Sequence, residues 1–160
     1  MKNWSLKKKI LLGLLALLVF AQFFRVDQTN PTFDASNDFL DMEHAPEDMA
    51  VLIKAACYDC HSYETKYPWY FNVSPISLWL KGHVDFGREN LNFSDWGNYT
   101  PEKKAHKMEE SIEEVERKEM PMTSYTLTHA DARLTDEQRI AMADYFRTIA
   151  SGKNHEGHSH

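Results

Sequence analysis

Both cysteines of this 160-residue chain fall within Cys57, Tyr58, Asp59, Cys60, His61, and that placement limits how the fold is held together. Thiols three positions apart close only a tight loop, so no disulfide framework staples the chain. Stability has to come from an apolar core or from something bound. With 42% apolar and 26% charged residues, there is material for one packed domain and little more. Six Gly and six Pro exclude collagen-like and Pro-rich disordered classes.

Periodicity points to helices, and no strand alternation competes. Pro46 suits a first helical turn, Glu47 and Asp48 favour its positive end, and Met49, Leu52, Ile53 and Ala56 share one face of a helix that runs into CYDCH. The aromatic, proline-containing stretch SYETKYPWYFNVSP reads as a loop. A second helix opens at Ser74 and Pro75, with Ile76, Trp79, Leu80 and Val84 inward, and Gly82 and Gly87 suggest an end near Asp85. A third begins at Thr100 and Pro101, carries Ala105, Met108, Ile112 and Val115, and stops before Met120 and Pro121. The last has Thr135 as N-cap with Gln138 three residues on, Ile140, Ala143, Phe146 and Ile149 inward, and Gly152 beyond its end. The expectation is an all-α domain of about four helices.

Charge is distributed unevenly. Five of the 18 Lys and Arg residues lie in the first 26 positions, where there is no Asp or Glu; the remaining 13 face all 24 acidic residues, a balance of −11. Such a surface repels phosphate, excludes nucleic acid as a partner and favours a basic docking partner. The N-terminal MKNWSLKKK followed by ILLGLLALLVFAQFF reads as an export signal. At ~1.5 Å per residue its 15-residue apolar run from Ile10 to Phe24 falls short of the ~30 Å hydrocarbon core, so it is a signal peptide or a short anchor in the inner membrane; the uncleaved anchor is preferred. The organisation read from these features is a signal or anchor over 1–26, a tether over 27–43 with Phe33 or Phe39 docking, a domain over 44–151 and a His-rich tail over 152–160. The domain would sit at the periplasmic face of the inner membrane, anchored or released.

CYDCH matches CxxCH, the attachment signature of c-type haem. At a helix end, residues i and i+3 put both sulfurs on one side, where each adds to a haem vinyl group, and the following histidine reaches the iron. A thioredoxin-like dithiol wants a βαβ context that this chain lacks, and a structural zinc site wants a second ligand pair that is absent from the sequence. One covalently bound haem c is therefore expected, on Cys57 and Cys60, with His61 as proximal iron ligand.

Three blocks, CYDCHSYETKYPWY, VSPISLWLKGHVDFGRENLNFSDW and EMPMTSYTLTHADARLTDEQ, resemble the haem-binding domain family of bacterial envelope c-type cytochromes over about two thirds of the chain. The resemblance implies a monohaem, cytochrome c-like fold, with an N-terminal helix ending in the haem motif and a C-terminal helix packed against it.

For the other face of the iron, Met120 before Pro121, on the loop leading to the last helix, is the expected ligand. Met122, His129 and His83 are alternatives. Arg88 is a candidate for a haem propionate, and Tyr67, Trp69, Tyr70, Trp79 and Trp96 for pocket walls. His155, His158 and His160 could hold a metal weakly. The functional expectation is an electron carrier rather than an enzyme, with a redox protein as partner. The alternative is a haem-based sensor or peroxidase-like protein with an open or displaceable sixth position.

Overall fold

The computed structural model describes residues 5–152, and every regular element among them is helical. In chain order these are α1 (Leu6–Ala21), α2 (Phe39–Met42), α3 (Glu47–Ile53), α4 (Asp59–His61), α5 (Ile76–Asn90), α6 (Pro101–Glu116), α7 (Thr123–Thr126) and α8 (Asp136–Ala150), joined by short 3₁₀ turns. The tail histidines His155, His158 and His160 lie outside the described residues.

The long helices begin where the sequence supplies caps. Thr100 accepts the Lys103 amide at 3.2 Å ahead of Pro101. Thr135 and Gln138 form a reciprocal capping box at the start of α8. That helix ends before Gly152, whose φ of 71° lies in the left-handed region that glycine adopts at no steric cost. Helices α6 and α8 lie against one another, burying Met108, Ile112 and Val115 of the first with Met142, Ala143, Phe146 and Ile149 of the second. Each such side chain contributes ~1.5–3 kcal/mol on removal from water. Ile140, expected inward, is 62% exposed and Met142 takes the core position.

The packed domain reaches further towards the N-terminus than the sequence suggests. Asp38, Phe39, Leu40 and Glu43 are buried within the stretch expected to be a tether. Phe39 is fully enclosed by Phe93, Trp96 and Phe146, with ring centroids 4.8, 5.0 and 6.1 Å away. A lone aromatic without periodic neighbours gives no pattern to read. Trp96, a candidate pocket wall, belongs to this core, where its indole N–H donates to Glu43 Oε1 at 2.7 Å. Met49 and Ile53 bring α3 into the same core, beside α8.

Helix α5 continues past Asp85 to Asn90. Its Gly87 does not terminate the helix but permits a close approach: a Cβ there would lie 2.6 Å from the carbonyl oxygen of Cys60. At the other end of the chain, none of the 16 residues of α1 is buried. No helix among the described residues is long and apolar enough to cross a membrane, because α1 rises only ~24 Å against a ~30 Å hydrocarbon core. The expected anchor is therefore not a complete span.

Candidate haem-binding site

The site is built on the end of α3. After Ile53 the backbone widens into a π-type turn over Lys54–Tyr58 and then forms the single turn of α4, so CYDCH remains helical throughout. Its two intervening residues face opposite ways. Tyr58 points into the core, stacked on Phe93 at 5.2 Å and donating its hydroxyl to Asp38 Oδ1 at 2.7 Å. Asp59 points outward: its carboxylate accepts the Tyr125 hydroxyl at 2.7 Å and the Lys66 amide at 3.0 Å.

His61 is the most constrained group. Its Nδ1 lies 3.0 Å from the carbonyl oxygen of Gly87 and 3.1 Å from that of Leu91. Two acceptors at one ring nitrogen require that nitrogen to carry the proton, which leaves the lone pair on Nε2, the state an imidazole needs to bind a metal. Burial also holds the ring below the usual histidine range, keeping it neutral. This orientation depends on Gly87, since a side chain there would push α5 away from Cys60. Both cysteines are unpaired thiols. Burial pushes Cys57 up to about 12 and Cys60 up to about 11, opposite to the lowered thiol pKa of a dithiol oxidoreductase.

Beside the motif lies a largely apolar cavity of about 280 Å³. Cys60 lines it, together with Ile76, Trp79, Leu80 and His83 on one face of α5, and Met122, Tyr125 and His129 on the loop before α8. Tyr70 and Phe71 contribute as well. The α5 stripe predicted from periodicity is thus real, but only Val84 is buried; Trp79 is 51% exposed along the cavity. An apolar helix face that no protein group covers leaves room for an apolar ligand. His83 and His129 each direct Nδ1 to a backbone carbonyl four residues earlier, at 2.8 and 3.1 Å, so each has Nε2 available.

A second cavity of about 250 Å³ adjoins the first and shares Asp59, Lys66, Pro68, Tyr125 and His129 with it. It is more polar, with Lys54 and Tyr67 in its wall. The Tyr67 hydroxyl is buried and has no hydrogen-bond partner among the described residues. Tyr125 and His129, stacked with centroids 4.0 Å apart, stand between the two spaces.

The structure brings some candidates together and leaves others apart. Cys60, Trp79, His83, Met122 and His129 share the cavity wall. Cys57 packs on the edge of the core, and His61 lies behind the wall, against α5. Met120 is not a lining residue; its carbonyl accepts Arg139 at 2.6 Å where the chain leaves α6. Arg88 is engaged elsewhere, donating to the Ser62 carbonyl at 2.7 Å, Thr65 Oγ1 at 2.8 Å and Asn30 Oδ1 at 2.9 Å. Trp69 is 78% exposed and outside both cavities. Sequence reasoning missed Tyr125 and the partnership of Gly87 with His61. The one sign of the former was the spacing of Tyr125 and His129, four apart and so on one helical face.

The donor set fits a haem: a neutral histidine with its Nε2 free, a thiol on an apolar cavity, an uncovered aromatic wall, and a buried phenol and Lys66 suited to carboxylates alongside, where Lys54 already pairs with Glu64. No group of three or more His, Cys, Asp or Glu residues among the described positions is arranged to hold a bare metal ion. A family model described as a haem-binding domain matches residues 16–148. Comparison with curated proteins and with solved structures finds no match.

Proposed function

The chain belongs to the haem-binding domain family, and on that premise we propose that it is an exported monohaem c-type cytochrome, cytochrome c-like in arrangement, that carries electrons. The observation that carries this reading is the double hydrogen bond at His61 Nδ1, which turns Nε2 into a ligand one residue after a thiol that lines an apolar cavity. When bound, haem supplies a one-electron iron couple. Cys57 and Cys60 would hold it through thioethers. Gly87 and Leu91, through their carbonyls, fix the His61 ring and increase its basicity.

For the opposite face we propose Met122, which lines the cavity, in preference to Met120. A methionine there raises the potential relative to a second histidine. Lys66 and the Tyr67 hydroxyl would receive the propionates in place of Arg88, whose guanidinium already holds Asn30 and Thr65, and of Lys54, which already holds Glu64. Trp79, Leu80 and Phe71 would keep water from the bound group. The acidic body, −11 from Asp27 onward, suits a redox partner with a basic docking surface, on the exported side of the inner membrane.

Absorption spectra of the chain matured with haem, oxidised and reduced, with and without carbon monoxide, test the reading. A low-spin spectrum with the methionine-to-ferric-iron band and no carbon monoxide response is expected. Loss of that band in Met122→Ala but not in Met120→Ala assigns the ligand. A high-spin, carbon monoxide-reactive protein would instead be the sensor or peroxidase-like alternative, and absence of covalent haem would overturn the whole reading.

A further inference from the structure

The apolar helix α1 does not dangle from the domain; the residues that follow it are bonded into the loop that leads to α5. The Gln22 carboxamide donates to the Ser74 carbonyl at 2.7 Å and accepts the Ser74 amide at 3.2 Å. The Ser74 hydroxyl donates to the Phe24 carbonyl at 2.7 Å. Gln28 donates to the Phe71 carbonyl at 3.3 Å and to Asn72 Oδ1 at 3.1 Å, and Asn30 to the Thr65 carbonyl at 2.8 Å. Wherever α1 lies, the surface beside Ser74 lies next to it.

The segments joined there carry large apolar side chains that stand exposed. Phe23 and Trp69 are 79% and 78% exposed, and Phe24 and Leu78 are exposed too. Phe20 packs against Phe23 and Phe24, with centroids 6.4 and 5.5 Å away, forming an aromatic cluster at the end of α1. Cations bracket the helix: Lys7, Lys8 and Lys9 at its start and Arg25 just beyond its end, against an acidic body.

We propose that the face around the α1 junction, Phe23, Phe24, Trp69 and Leu78, rests in the headgroup region of a lipid bilayer into which α1 is inserted. The helix selects this occupant. A protein groove would cover one side of it, whereas from Ile10 onward α1 is apolar on every side and buried on none, which suits immersion in hydrocarbon. Its shortness is accommodated by local thinning of the bilayer and by lysines that extend to the headgroups. Trp69 suits that level because its ring is apolar and its indole N–H tolerates water, while the wholly apolar rings of Phe23 and Phe24 suit the hydrocarbon side of the same boundary. The consequence is an orientation: the walls of the apolar cavity contributed by Tyr70, Phe71, Ile76 and Trp79 come from the same two elements as Trp69 and Leu78, so this side of the cavity is held near the membrane.

The inference stands apart from the haem reading, and one experiment separates them. The full-length chain is reconstituted in phosphatidylethanolamine and phosphatidylglycerol vesicles that contain a lipid with a diazirine at the headgroup. After photolysis, adducts are mapped by peptide mass, which also reports haem on the peptide carrying Cys57 and Cys60. Adducts are expected on residues 20–26, 69–72 and 76–79, with the outer faces of α6 and α8 unlabelled. In the Gln22→Ala, Ser74→Ala double variant, which loses all three bonds between Ser74 and the α1 junction, labelling of 69–79 should fall by about fivefold or more, the factor that even one such bond is worth, while α1 stays labelled. Equal labelling of α6 and α8, labelling confined to α1, or crosslinking of α1 to a second copy in place of lipid would each overturn the proposal.

Discussion

Two pairs of surfaces in this molecule began with the same sequence pattern and ended differently. Helices α6 and α8 each carry an apolar stripe, and the stripes close on one another, leaving Met108, Met142 and Phe146 without solvent contact. Helix α5 carries an equally clear stripe, yet Ile76 and Trp79 stand about half exposed along a cavity, opposite a loop with Met122, Tyr125 and His129. A helical period records that a face will be covered, not by what. Where the stripe meets another helix the core is complete; along α5 the protein leaves a cavity.

This contrast can be broken at several points. Phe146→Ala, in the closed pair, should cost ~3–5 kcal/mol in urea unfolding, and by the same amount with or without haem. Gly87→Ala should cost ~1–3 kcal/mol, because its Cβ meets backbone that cannot swing aside. It should also move His61, and an altered haem spectrum would register that. Tyr125→Phe removes the bond to Asp59 while keeping the stack on His129, so a loss of about 1 kcal/mol is expected, with a carbon monoxide response appearing in the reduced protein as the loop loosens. Trp79→Ala should change the haem-free protein by only ~0.5 kcal/mol and destabilise the haem-loaded one measurably more. An equal cost in both forms would show that Trp79 is ordinary core and that the gap is not a cofactor site.

The local signals in the sequence were read well where they were local in cause. Thr100, Pro101, Thr135 and Gln138 act within one turn of themselves, and their helices start as expected. Gly87 misled because glycine has two uses: it ends helices, and it lets another backbone come near. Only the position of Cys60, 27 residues earlier in the chain, selects between them. Ile140 misled for a related reason, since burial depends on what stands opposite, whereas Phe39, expected to dock from a tether, is buried in the core. At the site, the CxxCH spacing was fully legible, while which of Met120 and Met122 lines the cavity was not. They differ by two residues on an irregular loop, and no period relates their directions.

By itself the sequence determined the chemistry available: two thiols and an imidazole at helical spacing, helices with their caps, an apolar N-terminal segment with cations at its start and an acidic body. These follow from covalent neighbourhood and short-range hydrogen bonding. The tertiary structure alone decided which nitrogen of His61 carries the proton, which methionine lines the cavity and how α1 is joined to the domain. Each of those depends on groups brought together from distant parts of the chain, Gly87 and Leu91 against His61 and Ser74 against Gln22, and such distances exist only once the chain has folded.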